Sequence, residues 1–151
     1  MVSFIDHIHI TVRDIGISES FYNKFLPLVG FDLRDKEYAQ VPEHAYELIE
    51  YNSASFSFGI VSPRAEYLDD CVSRRRPGAV HHVAFGTREK VDVDSIFSAV
   101  QSIPNVRIIN KPCFYPEYCD DYYAFFFTDC DGIELEVVNY SRTSRIGSSL
   151  A

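Results

Sequence analysis

Ile5-Asp6-His7-Ile8-His9-Ile10-Thr11-Val12 stands near the start of the chain, and Val80-His81-His82-Val83-Ala84-Phe85-Gly86 echoes it about half a chain later. Both stretches read as strands that carry imidazoles. Side chains alternate between the faces of a strand, so His7 and His9 share one face, while His81 and His82 point to opposite faces. Apolar residues flank the first histidines on both sides, which predicts a strand buried on both faces. An imidazole in such a place needs a partner. A metal ion, held by a neutral ring nitrogen, is one candidate.

Working outward, each stretch is followed by a helix and then by three strands. In the first half Ser18 is the expected helix N-cap, with Glu19 in the first turn. Phe21, Tyr22, Phe25, Leu26 and Val29 then form one apolar stripe. Pro27 should distort the last turn, and Gly30 suits its end. Phe31 to Arg34, Ala45 to Tyr51 and Ser55 to Val61 read as strands. In the second half Asp92 is the expected N-cap of a helix bearing Val93, Ile96, Phe97 and Val100. Val106 to Ile109, Tyr122 to Thr128 and Ile133 to Val138 read as strands, with a loop over Pro112 to Asp121 and a turn at Asp129-Cys130-Asp131-Gly132. The matching histidines and the two helix starts are offset by nearly the same distance, so the chain reads as an internal repeat. The expected organisation is one domain over 1–151, with module 1 at about 4–61, a connector at 62–78, module 2 at about 79–140 and a fraying tail at 141–151.

Composition bounds the rest. With 151 residues, 46% of them hydrophobic, the chain can bury a substantial core. A formal charge of -8 argues against binding a phosphate backbone. No apolar run reaches the roughly 18 residues of a membrane span. No basic segment leading into an apolar run opens the sequence, and the four cysteines lack CxxC spacing, so a reduced cytoplasmic setting is expected. The Arg74-Arg75-Arg76 run reads as a solvated loop, with anchoring of an anionic group as the alternative.

Three motifs give the chain a family resemblance. They are Asp6-His7-Ile8-His9-Ile10-Thr11-Val12-Arg13-Asp14; Ser18-Glu19-Ser20-Phe21-Tyr22 leading to Leu28-Val29-Gly30-Phe31; and His82-Val83-Ala84-Phe85 with Tyr122 to Glu136. Over about residues 4–140 they resemble the vicinal oxygen chelate superfamily, which includes glyoxalase I, fosfomycin-resistance enzymes, bleomycin-binding proteins and extradiol dioxygenases. One departure is Cys130, where the family's closing motif usually has proline. The implied fold is α+β, with two βαβββ modules whose mixed sheets curl around a metal cleft.

The resemblance implies a metal set of His7, His82 and Glu136 holding one divalent ion: Fe, Mn, Ni or Zn. Ser57 or Gly59 falls where glyoxalase I has a fourth, acidic ligand, which makes a true glyoxalase I a poor fit. Candidate catalytic groups are His9, Glu134 and Tyr123; candidate substrate contacts are Arg145, Tyr118 and His44. Each has a plainer reading as packing, rim or surface. The expected function is a metal-dependent lyase, isomerase, transferase or dioxygenase acting on a small oxygenated substrate that chelates the metal. Two alternatives are a metal-free binding protein of the bleomycin-resistance type and a fosfomycin-type resistance enzyme. A homodimer with a small-molecule substrate is expected, without nucleic acid or membrane as partner.

Overall fold

The structure is a computed structural model in which residues 3–142 are described. The expected tail beyond Arg142, with Arg145, lies outside the described residues. Two compact units divide the chain, one ending at Ser73 and the other beginning at Arg74.

The first unit runs β1 (His7–Thr11), α1 (Ile15–Phe25), β2 (Glu37–Val41), β3 (Tyr46–Asn52) and β4 (Ser57–Val61). Its sheet order is β1-β4-β3-β2, with β1 parallel to β4 and the other pairs antiparallel. The second unit runs β5 (Val83–Gly86), α2 (Lys90–Val100), β6 (Arg107–Phe114), β7 (Tyr123–Thr128) and β8 (Glu134–Asn139). Its order, β5-β8-β7-β6, with β5 parallel to β8, repeats the first. The expected α+β fold of two βαβββ modules is therefore observed.

Alternation along the strands separates two chemistries in each sheet. In the first unit Ile10, Ile49, Tyr51, Phe58 and Ile60 are buried together with Phe21, Tyr22 and Phe25 of α1. The Tyr22 and Phe58 ring centroids lie 5.1 Å apart. Ser18 is fully buried within α1 and offers little bulk there. In the second unit Val83, Phe85, Phe125, Phe127, Leu135 and Val137 are buried, as are Val93, Ile96 and Val100 of α2. The opposite sheet faces are left to His7, His9, Ser57, Gly59 and Glu50 in the first unit, and to Ala84, Glu134, Glu136 and Phe126 in the second.

Several local expectations are corrected. The N-cap of α1 is Asp14, whose side chain accepts from the Ile17 backbone N–H; Ser18 lies inside the helix. The N-cap of α2 is Glu89, and Asp92 is its reciprocal capping-box partner three residues on. Phe31 to Arg34 is not a strand: Asp32 caps a short 3-10 turn, Leu33–Asp35, and the strand comes later as β2. β6 continues through Phe114, with register irregularities, into the expected loop. β1 is buried on only one side, because Ile8 and Ile10 face inward while the His7 side chain is 52% exposed. The distortion at Pro27 is seen as a 3-10 turn, Leu26–Val29, ended by Gly30 at φ 99°.

Phe58 is fully buried, so Phe58→Ala removes a core ring and leaves a cavity. It should cost about 3–5 kcal/mol, read as a lower urea midpoint against wild type.

Candidate functional site

In the second unit the chemistry gathers around Glu136. Register pairs it with Ala84 on β5 and Phe126 on β7, so its side chain rises from the face opposite α2. It is 1% exposed. The Tyr122 hydroxyl donates to Glu136 Oε1 at 2.5 Å, and His82 Nε2 lies 3.3 Å from Glu136 Oε2. Each carboxylate oxygen thus has a different neighbour. Burial pushes the Glu136 carboxyl above the usual carboxylate range, and the nearby Glu134 adds to this; the Tyr122 hydrogen bond and the charge of a protonated His82 oppose it.

His82 precedes β5, so strict strand alternation does not govern the His81–His82 pair. Their Nδ1 atoms approach to 2.8 Å, and both rings border one cavity, contrary to the expected opposite faces. That cavity, of about 430 Å³, is walled by Tyr115, Tyr118, Tyr122, Phe126 and Glu134 with Glu136. Tyr118 is 54% exposed at its rim. Glu134 pairs with Arg74, which gives the first arginine of the basic run a fixed partner. The Tyr115 hydroxyl is buried, with the Cys113 and Asn110 side chains beside it. Burial raises its pKa, so it stays a protonated donor.

In the first unit His7 and His9 do share a face, with ring centroids 4.7 Å apart. His7 Nδ1 lies 2.9 Å from Asp6 Oδ1. A carboxylate only accepts hydrogen bonds, so a neutral His7 carries its proton on Nδ1 and has its lone pair on Nε2. His9 Nε2 lies 3.3 Å from Glu50 Oε1.

Two candidates stand elsewhere. Tyr123 opens β7 and donates to Asp94 of α2 at 2.8 Å, whereas Tyr122, just before the strand, donates to Glu136. His44 sits in the turn between β2 and β3, stacked on Tyr46. Sequence reasoning missed Asp6, Glu50 and Tyr115 as parts of these clusters. Asp6 could have been found from its place beside His7, but nothing local marks Glu50.

Among the described residues, no three His, Cys, Asp or Glu side chains gather as a metal group. The donor chemistry nonetheless fits a divalent ion. His82 and Glu136 offer nitrogen and oxygen side by side, and the desolvated carboxylate favours a cation.

A sequence model of the Glyoxalase/Bleomycin resistance protein/Dioxygenase superfamily matches residues 4–137. The chain belongs to this superfamily. Among solved structures, a glyoxylase/bleomycin resistance protein/dioxygenase domain from Frankia sp. EAN1pec superposes with a TM-score of 0.75 at 18% identity, covering 93% of this chain and 100% of that one. The fosfomycin resistance protein FosX from Listeria monocytogenes, complexed with Mn(II) and sulfate, superposes at 0.65 with 15% identity, covering 97% and 99%. A glyoxalase/bleomycin resistance protein from Albidiferax ferrireducens T118 gives 0.65 at 18% identity, covering 92% and 100%. These likenesses establish the glyoxalase-like fold. No curated protein matches the chain. No helix among the described residues is long and apolar enough to cross a membrane.

The raised Glu136 pKa sets a direction for pH dependence. The folded protein holds this proton more tightly than the unfolded chain, so the contribution to stability is full below the ordinary carboxylate range. It is lost as pH rises through the folded-state value. Glu136→Gln keeps an oxygen to accept from Tyr122 and removes the titration. In chelator, the variant should equal or exceed wild type in urea midpoint at pH 8, and its advantage should shrink on acidification.

Proposed function

We propose that this protein is a metal-dependent enzyme in which His7, His82 and Glu136 hold one divalent ion and a small oxygenated substrate chelates it. The observation that carries this reading is the buried Glu136 carboxylate, held through one oxygen by Tyr122 and facing His82 with the other. The Mn(II) in the FosX complex, a protein of the same fold, adds support. Two imidazoles and a carboxylate suit Fe, Mn, Ni or Zn and leave positions for substrate oxygens. When bound, such an ion supplies Lewis-acid polarisation of those oxygens.

The chain's own groups do the rest. Tyr122 occupies Oε1 and so presents Glu136 through Oε2. Asp6 fixes the His7 tautomer that leaves Nε2 available. The rings of Tyr115, Tyr118 and Phe126 shape the cavity and exclude water around part of the substrate. Glu134, paired with Arg74, bounds the same cavity as a polar wall. His9 serves as the group that accepts a proton or a hydrogen bond from substrate. Tyr123 has no part in this reading, since it faces α2, and neither has His44. A lyase, isomerase or transferase reaction follows, and the protein works as a homodimer.

Elemental analysis tests the reading, on protein purified without chelator beside His7→Ala and Glu136→Ala. Roughly one divalent ion per chain in wild type, with both variants depleted at least tenfold, is expected. A folded wild type that stays empty after soaking in Fe(II), Mn(II), Ni(II) and Zn(II) would overturn it and leave a metal-free small-molecule binder as the better account.

A further inference from the structure

The row of residues across the first sheet departs from its counterpart in the second. In the second unit the row reads Ala84, Glu136, Phe126 over β5, β8 and β7. The corresponding row in the first unit reads His9, Gly59, Glu50 over β1, β4 and β3. The central acid is replaced by glycine, an imidazole stands on one side of it, and a carboxylate stands on the other.

Gly59 is required by this arrangement. A Cβ built there would meet the His9 ring at 2.4 Å from Cδ2 and 2.9 Å from Nε2. The imidazole therefore lies across the bare glycine backbone and reaches over β4 to Glu50 on β3. Both side chains are largely sheltered, at 29% and 26% exposed, and Glu37 is the next residue in the row on β2.

Because Glu50 can only accept, a neutral His9 carries its proton on Nε2 and keeps its lone pair on Nδ1. His7, held by Asp6, has the opposite tautomer. Two imidazoles 4.7 Å apart thus offer different nitrogens. We propose that Glu50 is a positioning residue that fixes His9 as the Nε2–H tautomer, so that His7 offers Nε2 to the metal while His9 Nδ1 accepts a hydrogen bond from a hydroxyl of the substrate. This rests on the metal reading above and narrows its substrate class to compounds bearing a hydroxyl donor beside the chelating oxygens. It also separates ligand from substrate contact by tautomer rather than by distance along the chain.

Long-range 15N–1H spectra of the imidazoles, recorded at pH 8 on metal-free protein, test the tautomers directly. Wild type should show His9 protonated at Nε2 and His7 at Nδ1. In Glu50→Gln the amide can donate or accept, so His9 should become a tautomer mixture while His7 is unchanged; Glu50→Asp should restore much of the Nε2–H form. Gly59→Ala, with Glu50 intact, should also lose the single tautomer by displacing the ring. Wild-type His9 protonated at Nδ1, or a His9 signal indifferent to Glu50→Gln, would overturn the proposal. Zn(II) should then shift His7 Nε2 and leave the His9 Nε2–H signal in place. A Zn(II) shift at His9 nitrogen instead would overturn the division of roles. Zn(II) that shifts no histidine, with the tautomers as expected, would sink the metal reading alone.

Discussion

A carboxylate with almost no exposure to water sits at the centre of the second unit, and its neighbours follow from the need to satisfy it. Glu136 could not remain in a sheet face without partners, because desolvating a charge costs several kcal/mol. Tyr122 supplies a hydroxyl at 2.5 Å, and His82 supplies a ring nitrogen at 3.3 Å. Placing Tyr122 there brings the aromatic cluster with it: Tyr118 and Tyr140 pack against its ring, at 5.1 and 4.9 Å between centroids. Arg74 pairs with Glu134, the second carboxylate two residues away on the same face, and so places a positive charge beside it. The cavity wall is thus the apolar and polar surround that one buried acid requires.

The repeat was legible because it rests on periodicity. Strand alternation and a helical stripe follow from core burial, and both halves bury the same faces. His82 and Glu136 were named together through the family resemblance, and the parallel pairing of β5 with β8 is what brings the end of the module back to its start. Boundaries were less so. Ser18 looked like a helix cap but is a small side chain buried inside α1, while Asp14, four residues earlier, makes the capping hydrogen bond. Phe31 to Arg34 alternates like a strand, yet Asp32 binds the Arg34 backbone and side chain and turns the chain. These misreadings share a cause: short polar side chains compete locally for backbone groups, and pattern alone does not show which competitor wins.

Contacts across strands were the least legible. His81 and His82 were separated by an alternation rule that holds only inside a strand, and both lie before β5 begins. Tyr123 was grouped with Tyr122 by proximity in sequence, although one hydroxyl meets Asp94 of α2 and the other meets Glu136. Glu50 carries no local mark. Its meeting with His9 depends on the register of three strands and on the absence of a side chain at Gly59 between them.

That last point explains how two modules with one topology differ so much in chemistry. A side chain at position 59 would displace the ring at position 9 from where it lies, since its Cβ would overlap that ring. The first unit has the imidazole and no acid on β4; the second has the acid on β8 and only alanine beside it on β5. In the first unit the glycine is what lets the imidazole lie across the row. The carboxylate absent from β4 is found one strand over, on β3, at a distance from His9 that suits a hydrogen bond. Both units therefore carry an imidazole–carboxylate contact on this face, His82–Glu136 in the second and, besides His7–Asp6, His9–Glu50 in the first. The contact in the second unit buries its acid almost completely. The His9–Glu50 contact in the first keeps about a quarter of its acid's side chain in solvent. Burial raises the proton affinity of a carboxylate and strengthens its pull on any cation, so the same pair of residue types has different properties in the two units. Divergence between the repeats is then a matter of which strand carries the bulk and how far water is excluded, with the backbone plan unchanged.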